Sequence, residues 1–280
     1  MELNFFKYEG AGNDFILIDG RQGDHPENPL RHPGIRLPND TIRLLCERRT
    51  GIGADGLMVL RESADTDFTM EYHNADGGEV SMCGNGGRCI ALFARHLGIV
   101  SDDIVFTGRD GVHRATILSD RGDSAVVKLG MTNVEGYEYS DKAFFLNTGV
   151  PHYVEFVDDL GATDVVKRGR EIRRSERFNA MGGTNVDFVQ VLGHGRIALR
   201  TYERGVEDET HACGTGAVAA AIATHLYAQG DVSSFAVDTL GGTLDVGFTP
   251  AGEAFGDILL TGLARRVFAG TVMIGDLTNK

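Results

Sequence analysis

Apolar residues recur along this chain in short runs and alternations bounded by Gly, Asp or Asn, the pattern of strands joined by tight turns. In the first half they predict strands at Phe15 to Ile18, Leu57 to Leu60, Phe68-Met70-Tyr72, Ile104 to Phe106, Ala115 to Leu118 and Val126 to Leu129. The second half repeats the style at Phe144 to Leu146, Tyr153 to Val157, Val186 to Val191, Ile197 to Tyr202, Phe235 to Val237, Leu244 to Phe248 and Ile258 to Leu260. Two segments break this rhythm. Gly87 to Leu97 and Gly216 to Ala228 are helix candidates that are apolar on nearly every side, and a helix without a polar face must be surrounded by protein. One such helix in each half predicts an α/β (α+β) fold of two similar lobes, each a curled mixed or antiparallel sheet wrapped around its central apolar helix. Amphipathic helices are expected outside them at Asp40 to Arg49 and Thr163 to Arg174. An exposed loop is expected at Arg21 to Asn39, which holds four of the six prolines, and a boundary between the halves near Met131 to Asp141.

Directly ahead of each apolar helix stands a cysteine with glycines: Cys83-Gly84-Asn85-Gly86 and, 130 positions later, Cys213-Gly214-Thr215-Gly216. A cysteine at a helix entrance faces unpaired backbone N–H groups and the positive end of the peptide dipoles, which favour thiolate over thiol. A single free cysteine reads more simply as a small buried hydrophobe. The duplicated context shifts the balance to chemistry, because the glycines let a ligand approach the backbone and the N–H groups of Gly84, Asn85, Gly214 and Thr215 are placed to hold a carboxylate. Cys89 falls inside the apolar helix and reads as core packing; Cys46, in an amphipathic helix, carries no functional signal.

Three other motifs are weaker. Gly51-Ile52-Gly53-Ala54-Asp55-Gly56 matches a dinucleotide-binding string, but a helix candidate precedes it and a strand follows, the reverse of the nucleotide-loop order, so it reads as a helix-to-strand turn. His73, His211, Cys83 and Cys213 lack the close pairs of a zinc site, and no metal is expected. Amides and charges gather at strand ends: Asn13, Asn74, Asn185 and Glu203-Arg204. Turn chemistry accounts for Asp14 and Asp76, whereas adjacent opposite charges at Glu203-Arg204 are suited to gripping an ammonium and a carboxylate.

Composition narrows the function classes. The chain has 280 residues with 42% hydrophobic content, enough for one large core or two moderate ones, and a net charge of −13, which argues against a phosphate-tracking surface. The basic residues between Arg168 and Arg177 are interleaved with Glu171 and Glu176, as on a solvated helix face. Four well-spaced cysteines and the absence of a charged-then-apolar start fit reduced cytoplasmic thiols. The most apolar run, Ala217 to Ala228, is shorter than the roughly 20 residues that cross a bilayer.

Taken together, GAGNDF at Gly10 to Phe15, GIGADG at Gly51 to Gly56, Asn74 to Gly77 with Cys83 to Arg88, Pro151-His152, YERG at Tyr202 to Gly205 and ACGTG at Ala212 to Gly216 resemble the diaminopimelate epimerase family nearly end to end. That resemblance implies pseudo-symmetric lobes with a discontinuous first domain, residues 1–131 plus 263–280 and residues 132–262, with the active site in the cleft between them. It implies epimerisation of LL-2,6-diaminopimelate to the meso isomer, in lysine and peptidoglycan biosynthesis, without pyridoxal phosphate or other cofactor. Inverting a stereocentre by proton transfer needs a base on one face and an acid on the other, and Cys83 and Cys213 would be that pair, with coupled titrations. By the same resemblance Gly84, Asn85, Gly214 and Thr215 hold the reacting carboxylate, and Asn13 the reacting amine. Asn74, Asn185, Glu203 and Arg204 bind the distal end, and His152 tunes the protonation of one cysteine and Glu203 that of the other.

Expected partners are a small-molecule amino acid, with neither nucleic acid nor membrane, and a homodimer is a candidate assembly. The nearest alternative is a proline or hydroxyproline racemase, but a cyclic imino acid offers no second charged end for the distal set. A phenazine-biosynthesis relative would lack the paired cysteines, and a zinc-binding module is a more remote alternative. Two positions depart from the family pattern: Gly56 where Gln is frequent, and Val150 where Asn precedes Pro-His, with Asn147 and Thr148 as nearby polar replacements.

Overall fold

Strands dominate the computed structural model, which describes residues 1–22, 30–228, 230 and 232–277. Part of the expected Arg21 to Asn39 loop, at 23–29, and the tail at 278–280 lie outside the described residues. The chain divides into two units, Met1–Leu129 with Leu263–Lys280, and Gly130–Gly262. The first contains β1 (Glu2–Gly10), β2 (Asn13–Asp19), α1 (Asn39–Cys46), β3 (Gly56–Arg61), β4 (Phe68–Asn74), α2 (Gly84–His96), β5 (Asp103–Gly108), β6 (Gly111–Asp120) and β7 (Ser124–Gly130). The second contains β8 (Tyr137–Ser140), β9 (Ala143–Asn147), β10 (Pro151–Phe156), α3 (Val165–Arg173), α4 (Glu176–Asn179), β11 (Asn185–Gly193), β12 (Arg196–Glu203), β13 (Asp208–Thr210), α5 (Gly214–Tyr227), β14 (Ser234–Thr239) and β15 (Gly242–Ala251). The long β16 (Ala254–Met273) begins in the second unit, and its later part counts with the first, as does α6 (Ile274–Leu277).

The two units repeat one pattern of pairing. In the first, β1–β2 is antiparallel, β2–β3 parallel, β3–β4 antiparallel, β4–β5 parallel, and β5–β6 and β6–β7 antiparallel. In the second, β9–β10, β10–β11, β11–β12, β12–β14, β14–β15 and β15–β16 run antiparallel, parallel, antiparallel, parallel, antiparallel and antiparallel. Each second parallel step needs a crossover, and the apolar helix supplies it: α2 between β4 and β5, α5 between β12 and β14.

These helices are the cores. α2 packs on β1, β2, β3 and β6, and α5 on β9, β10, β11, β12, β14 and β15. Every residue from Gly84 to Ala94 is buried, and Cys89, Ile90, Leu92 and Phe93 are fully so. Burial of each large apolar side chain contributes about 1.5–3 kcal/mol, which offsets the poor helix propensity of the glycine-rich first turn. No helix among the described residues is long and apolar enough to cross a membrane.

The structure extends the expected elements in ways local pattern conceals. β1 was not anticipated, because Phe5, Phe6, Lys7 and Tyr8 are all buried and so do not alternate. β16 runs well past Leu260 because its distal half pairs with β1, from Glu2 opposite Met273 onward. α2 starts at Gly84 rather than Gly87, and α5 at Gly214 rather than Gly216. α1 stops at Cys46, short of Arg49, while α3 opens where Asp164 accepts the Lys167 N–H at 3.1 Å. The Gly51 to Gly56 string is a helix-to-strand turn: Gly53 N–H and Ala54 N–H donate back to Leu45 and Cys46 carbonyls, and β3 follows at once.

Gly77 closes the turn after β4 with φ of +90°, and a Cβ there would lie 2.2 Å from the Asn39 carbonyl oxygen at the start of α1. Gly77→Ala is expected to destabilise the protein by about 2–3 kcal/mol through combined backbone strain and clash, measured as a lowered midpoint in urea denaturation.

Candidate functional site

In the first unit, the extended Cys83 (φ −117°) caps α2. The helical ladder begins with Gly87 N–H to Cys83 O at 2.7 Å, so the preceding N–H groups project from the helix end. The half-buried Cys83 thiol donates to Asn13 Oδ1 at 3.6 Å, and Asn85 Nδ2 donates to the same oxygen at 3.4 Å. Asn13 is held from its other side, since its Nδ2 donates to the Asp55 carboxylate.

Asp55 belongs to an ion network that also contains Lys7, Asp14 and Arg48. Arg48 donates to both Asp14 and Asp55, and the buried Lys7 Nζ lies 2.7 Å from Asp14 Oδ2. Asp14 is therefore no turn residue, contrary to expectation, whereas Asp76 is, accepting the Gly78 N–H at 2.8 Å. Burial alone would raise the Asp14 carboxyl, but hydrogen bonds and charge from Arg48 and Lys7 outweigh it and hold the pKa at about 2.

Beneath Cys83 lies the fully buried Arg88. Its Nη1 donates to Gly84 O at 3.1 Å and its Nη2 to Asn85 Oδ1 at 2.9 Å, so one guanidinium fixes the first turn of α2 and the Asn85 amide. Burial pulls Arg88 below its ordinary pKa, opposed by the fields of Cys89, Cys83 and Glu9. Asn74 is exposed at the end of β4, where Tyr72 Oη donates to its Oδ1 at 3.3 Å. The Tyr72 ring also fills the space a side chain at Gly56 would need, 2.7 Å from a Cβ there. A side chain at position 56 would therefore require Tyr72 to move.

The second unit builds its cluster around Cys213, extended (φ −117°) at the cap of α5. Cys213 Sγ lies 3.3 Å from Thr215 Oγ1, which lies 3.0 Å from His152 Nε2, and His152 Nδ1 lies 2.6 Å from Asp187 Oδ2. Asn185 joins the group by its Nδ2, 3.3 Å from His152 Nε2, while its Oδ1 accepts the Arg204 N–H at 2.8 Å. β10 and β11 run parallel with His152 opposite Asn185, which brings these residues together. Burial pushes the Cys213 thiol well above its ordinary pKa, and the charges of Glu203 and Asp187 push the same way, while the Thr215 hydroxyl and Gly216 N–H favour the thiolate. Glu203 and Arg204 are half-buried at the end of β12. Beside Val150, Asn147 Oδ1 accepts the Gly149 N–H of its own turn, and Thr148 Oγ1 donates to Thr215 O at 3.1 Å. Only Thr148, then, reaches the Cys213 cluster.

The remaining sulfurs are core. Burial pushes the Cys46 thiol up to about 12 and Cys89 further still. His73 is engaged by Gly77 O and Glu71 Oε1, both at 3.1 Å. Asp187, Arg88, Asp55 and Tyr72 were missed by sequence reasoning. A buried Asp or Arg amid apolar residues was the available signal in NVDFV and GGRCI, but its partners lie in distant segments.

The fold is shared with racemase-type structures: a probable proline racemase from Agrobacterium radiobacter K84 superposes with a TM-score of 0.71 over 97% of this chain and 93% of its own, at 18% identity. At that identity the likeness is one of architecture, a mixed α+β fold rich in strands. Sequence carries the assignment further. The diaminopimelate epimerase family model matches residues 5–135 and 144–267. A diaminopimelate epimerase of Flavobacterium psychrophilum is 42% identical over 270 residues, covering 96% of this chain and all of that protein. That of Aquifex aeolicus is 40% identical over 281 residues, covering 96% of this chain and 97% of its own. The chain belongs to the diaminopimelate epimerase family.

Because the Asp14 pKa is depressed in the folded protein, the network's contribution is present above about pH 4 and is lost as pH falls through 2. The stability difference between wild type and Asp14→Asn in urea denaturation is expected to shrink by about 1–2 kcal/mol over that window.

Proposed function

We propose that the protein interconverts LL- and meso-2,6-diaminopimelate by a two-base mechanism in which Cys83 and Cys213 are the proton acceptor and donor. The observation that carries this reading is the duplicated placement of a cysteine at the cap of a buried helix, within a family of epimerases. One sulfur, as thiolate, removes the α-hydrogen; the other, as thiol, returns a proton to the opposite face of the carbon. In the reverse direction the roles exchange.

The α-hydrogen of an amino acid is weakly acidic, so the developing carbanion needs fixed positive potential. The projecting N–H groups of Gly84, Asn85, Gly214 and Thr215, at the positive ends of α2 and α5, supply it by holding the reacting carboxylate. Asn13, fixed by Asp55, takes the reacting amine. Asn74, Asn185, Glu203 and Arg204 bind the distal amino-acid end, and His152 with Glu203 tunes Cys213. No cofactor enters this scheme, because the electrostatics are supplied by backbone and side chains. We read the working form as a cytoplasmic enzyme of lysine and peptidoglycan biosynthesis, with a homodimer as its candidate assembly.

Incubation with LL-diaminopimelate in D₂O is expected to yield the meso isomer with deuterium at a single α-carbon, read by NMR and mass spectrometry. Cys83→Ala and Cys213→Ala are each expected to lower kcat at least about 1,000-fold, in line with loss of an acid–base group. Substantial turnover by either single variant would contradict the two-base assignment.

A further inference from the structure

We infer that Thr215, His152 and Asp187 form a proton relay ending on Cys213, with Asp187 as the positioning residue that sets the tautomer of His152. For its consequence in turnover this rests on Cys213 being one of the two acid–base groups; the relay itself rests on geometry inside the second unit.

Two independent contacts fix the imidazole. An ionised carboxylate only accepts hydrogen bonds, so Asp187 Oδ2, 2.6 Å away, places the ring proton on Nδ1. The Asn185 amide says the same from the other side. Its Oδ1 must face the Arg204 backbone N–H, which turns its Nδ2, a donor only, toward His152 Nε2 and makes Nε2 an acceptor. With Nε2 accepting, Thr215 Oγ1 donates to it at 3.0 Å and takes the Cys213 S–H at 3.3 Å.

Asp187 is itself immobilised. Thr201 Oγ1 donates to its Oδ1 at 2.7 Å, and both His152 and Asp187 side chains are fully buried. Gly216 completes the arrangement, since a Cβ at that point in the first turn of α5 would stand 2.7 Å from Asp187 Oδ1.

The transfer balances within the group. The Cys213 S–H bond breaks and its proton goes to Thr215 Oγ1, whose own proton passes to His152 Nε2. The products are a thiolate and an imidazolium that keeps its Nδ1–H against Asp187 and directs its new Nε2–H at Thr215 Oγ1, giving up the longer Asn185 Nδ2 contact at 3.3 Å; net charge is unchanged. The charges that act on Cys213 most strongly are Glu203 from β12 and Asp187 from β11, both anionic. Asp187 thus acts on Cys213 with two opposite signs. Its direct field opposes the thiolate, whereas its contact with His152 stabilises the imidazolium that must form beside it. In the relay the contact with His152 prevails, because a charge-assisted hydrogen bond at 2.6 Å acts on the very group that gains the charge, although Asp187 Oδ1 also faces Cys213 across Gly216, whose Cβ position is 2.7 Å from that oxygen and 3.2 Å from Cys213 Cβ.

The sign makes a test. In the full-length protein, the rate at which iodoacetamide modifies Cys213 at pH 7, read by peptide mass spectrometry, is expected to fall about tenfold in Asp187→Asn. A direct field alone predicts faster modification, so an unchanged or faster rate overturns the relay. Thr215→Val is expected to slow modification similarly, and Thr215→Ser to keep it within about twofold of wild type because the hydroxyl is retained. This pair decides the matter if Asp187→Asn fails to fold, and equal slowing in both would overturn the relay. In turnover, Asp187→Asn is expected to lower kcat about 10- to 100-fold with KM within about threefold. A wild type that does not epimerise diaminopimelate, combined with the expected labelling changes, would sink the functional reading and leave the relay standing. Epimerisation with labelling and kcat indifferent to Asp187 would do the reverse.

Discussion

Each unit depends on burying the start of a helix. An α-helix begins with N–H groups that no earlier carbonyl can take, and burying them is costly unless something accepts from them. Here the first turns of α2 and α5 are drawn deep into protein by the apolar helices behind them, with Gly84 and Gly214 both buried. What stands at each entrance is a sulfur and a small glycine-rich turn. The same packing that stabilises the fold therefore creates a site of positive potential lined by a thiol, and the sheets of each unit are arranged to hold it.

Around that shared frame, the two clusters have opposite electrostatic character. Five positions after Cys83 stands Arg88, fully buried and bound to Gly84 O and Asn85 Oδ1; five positions after Cys213 stands Val218, part of the apolar core. The second unit instead surrounds its sulfur with Asp187, His152 and Glu203. One topology thus carries a cationic neighbour for one cysteine and anionic neighbours for the other. Two identical thiols become chemically distinct only in unequal surroundings, which is the general route by which paired groups take acid and base roles.

The wide spacing of the site residues along the chain is resolved by pairing. β10 and β11 are parallel and set His152 beside Asn185, with Asp187 two residues further along. β2 and β3 are parallel and set Phe15 opposite Gly56, which brings Asn13 and Asp14 at the start of β2 against Asp55. In both units the polar contacts cluster where a parallel pair meets the capped helix. The Asp14 network shows how far this reaches from local rules: a residue that looks like turn punctuation is an ion-pair partner of a lysine on β1 and an arginine beyond α1.

The α/β class, the many short strands, the two apolar helices and the cysteines at their entrances were all legible in the chain, because each is a local pattern: alternation, continuous apolarity, or a residue beside glycines. The turn at Gly51 to Gly56 was legible for the same reason, from the order of its neighbours. β1 and the distal half of β16 were not, since each is a strand only by virtue of the other, at opposite ends of the chain. Nor were the partners of Asn13, His152 and Arg88, or the part played by Tyr72 at Gly56. A side chain's identity travels with the sequence, but its electrostatic surroundings are made by segments dozens of residues away, and these meet only when the strands pair.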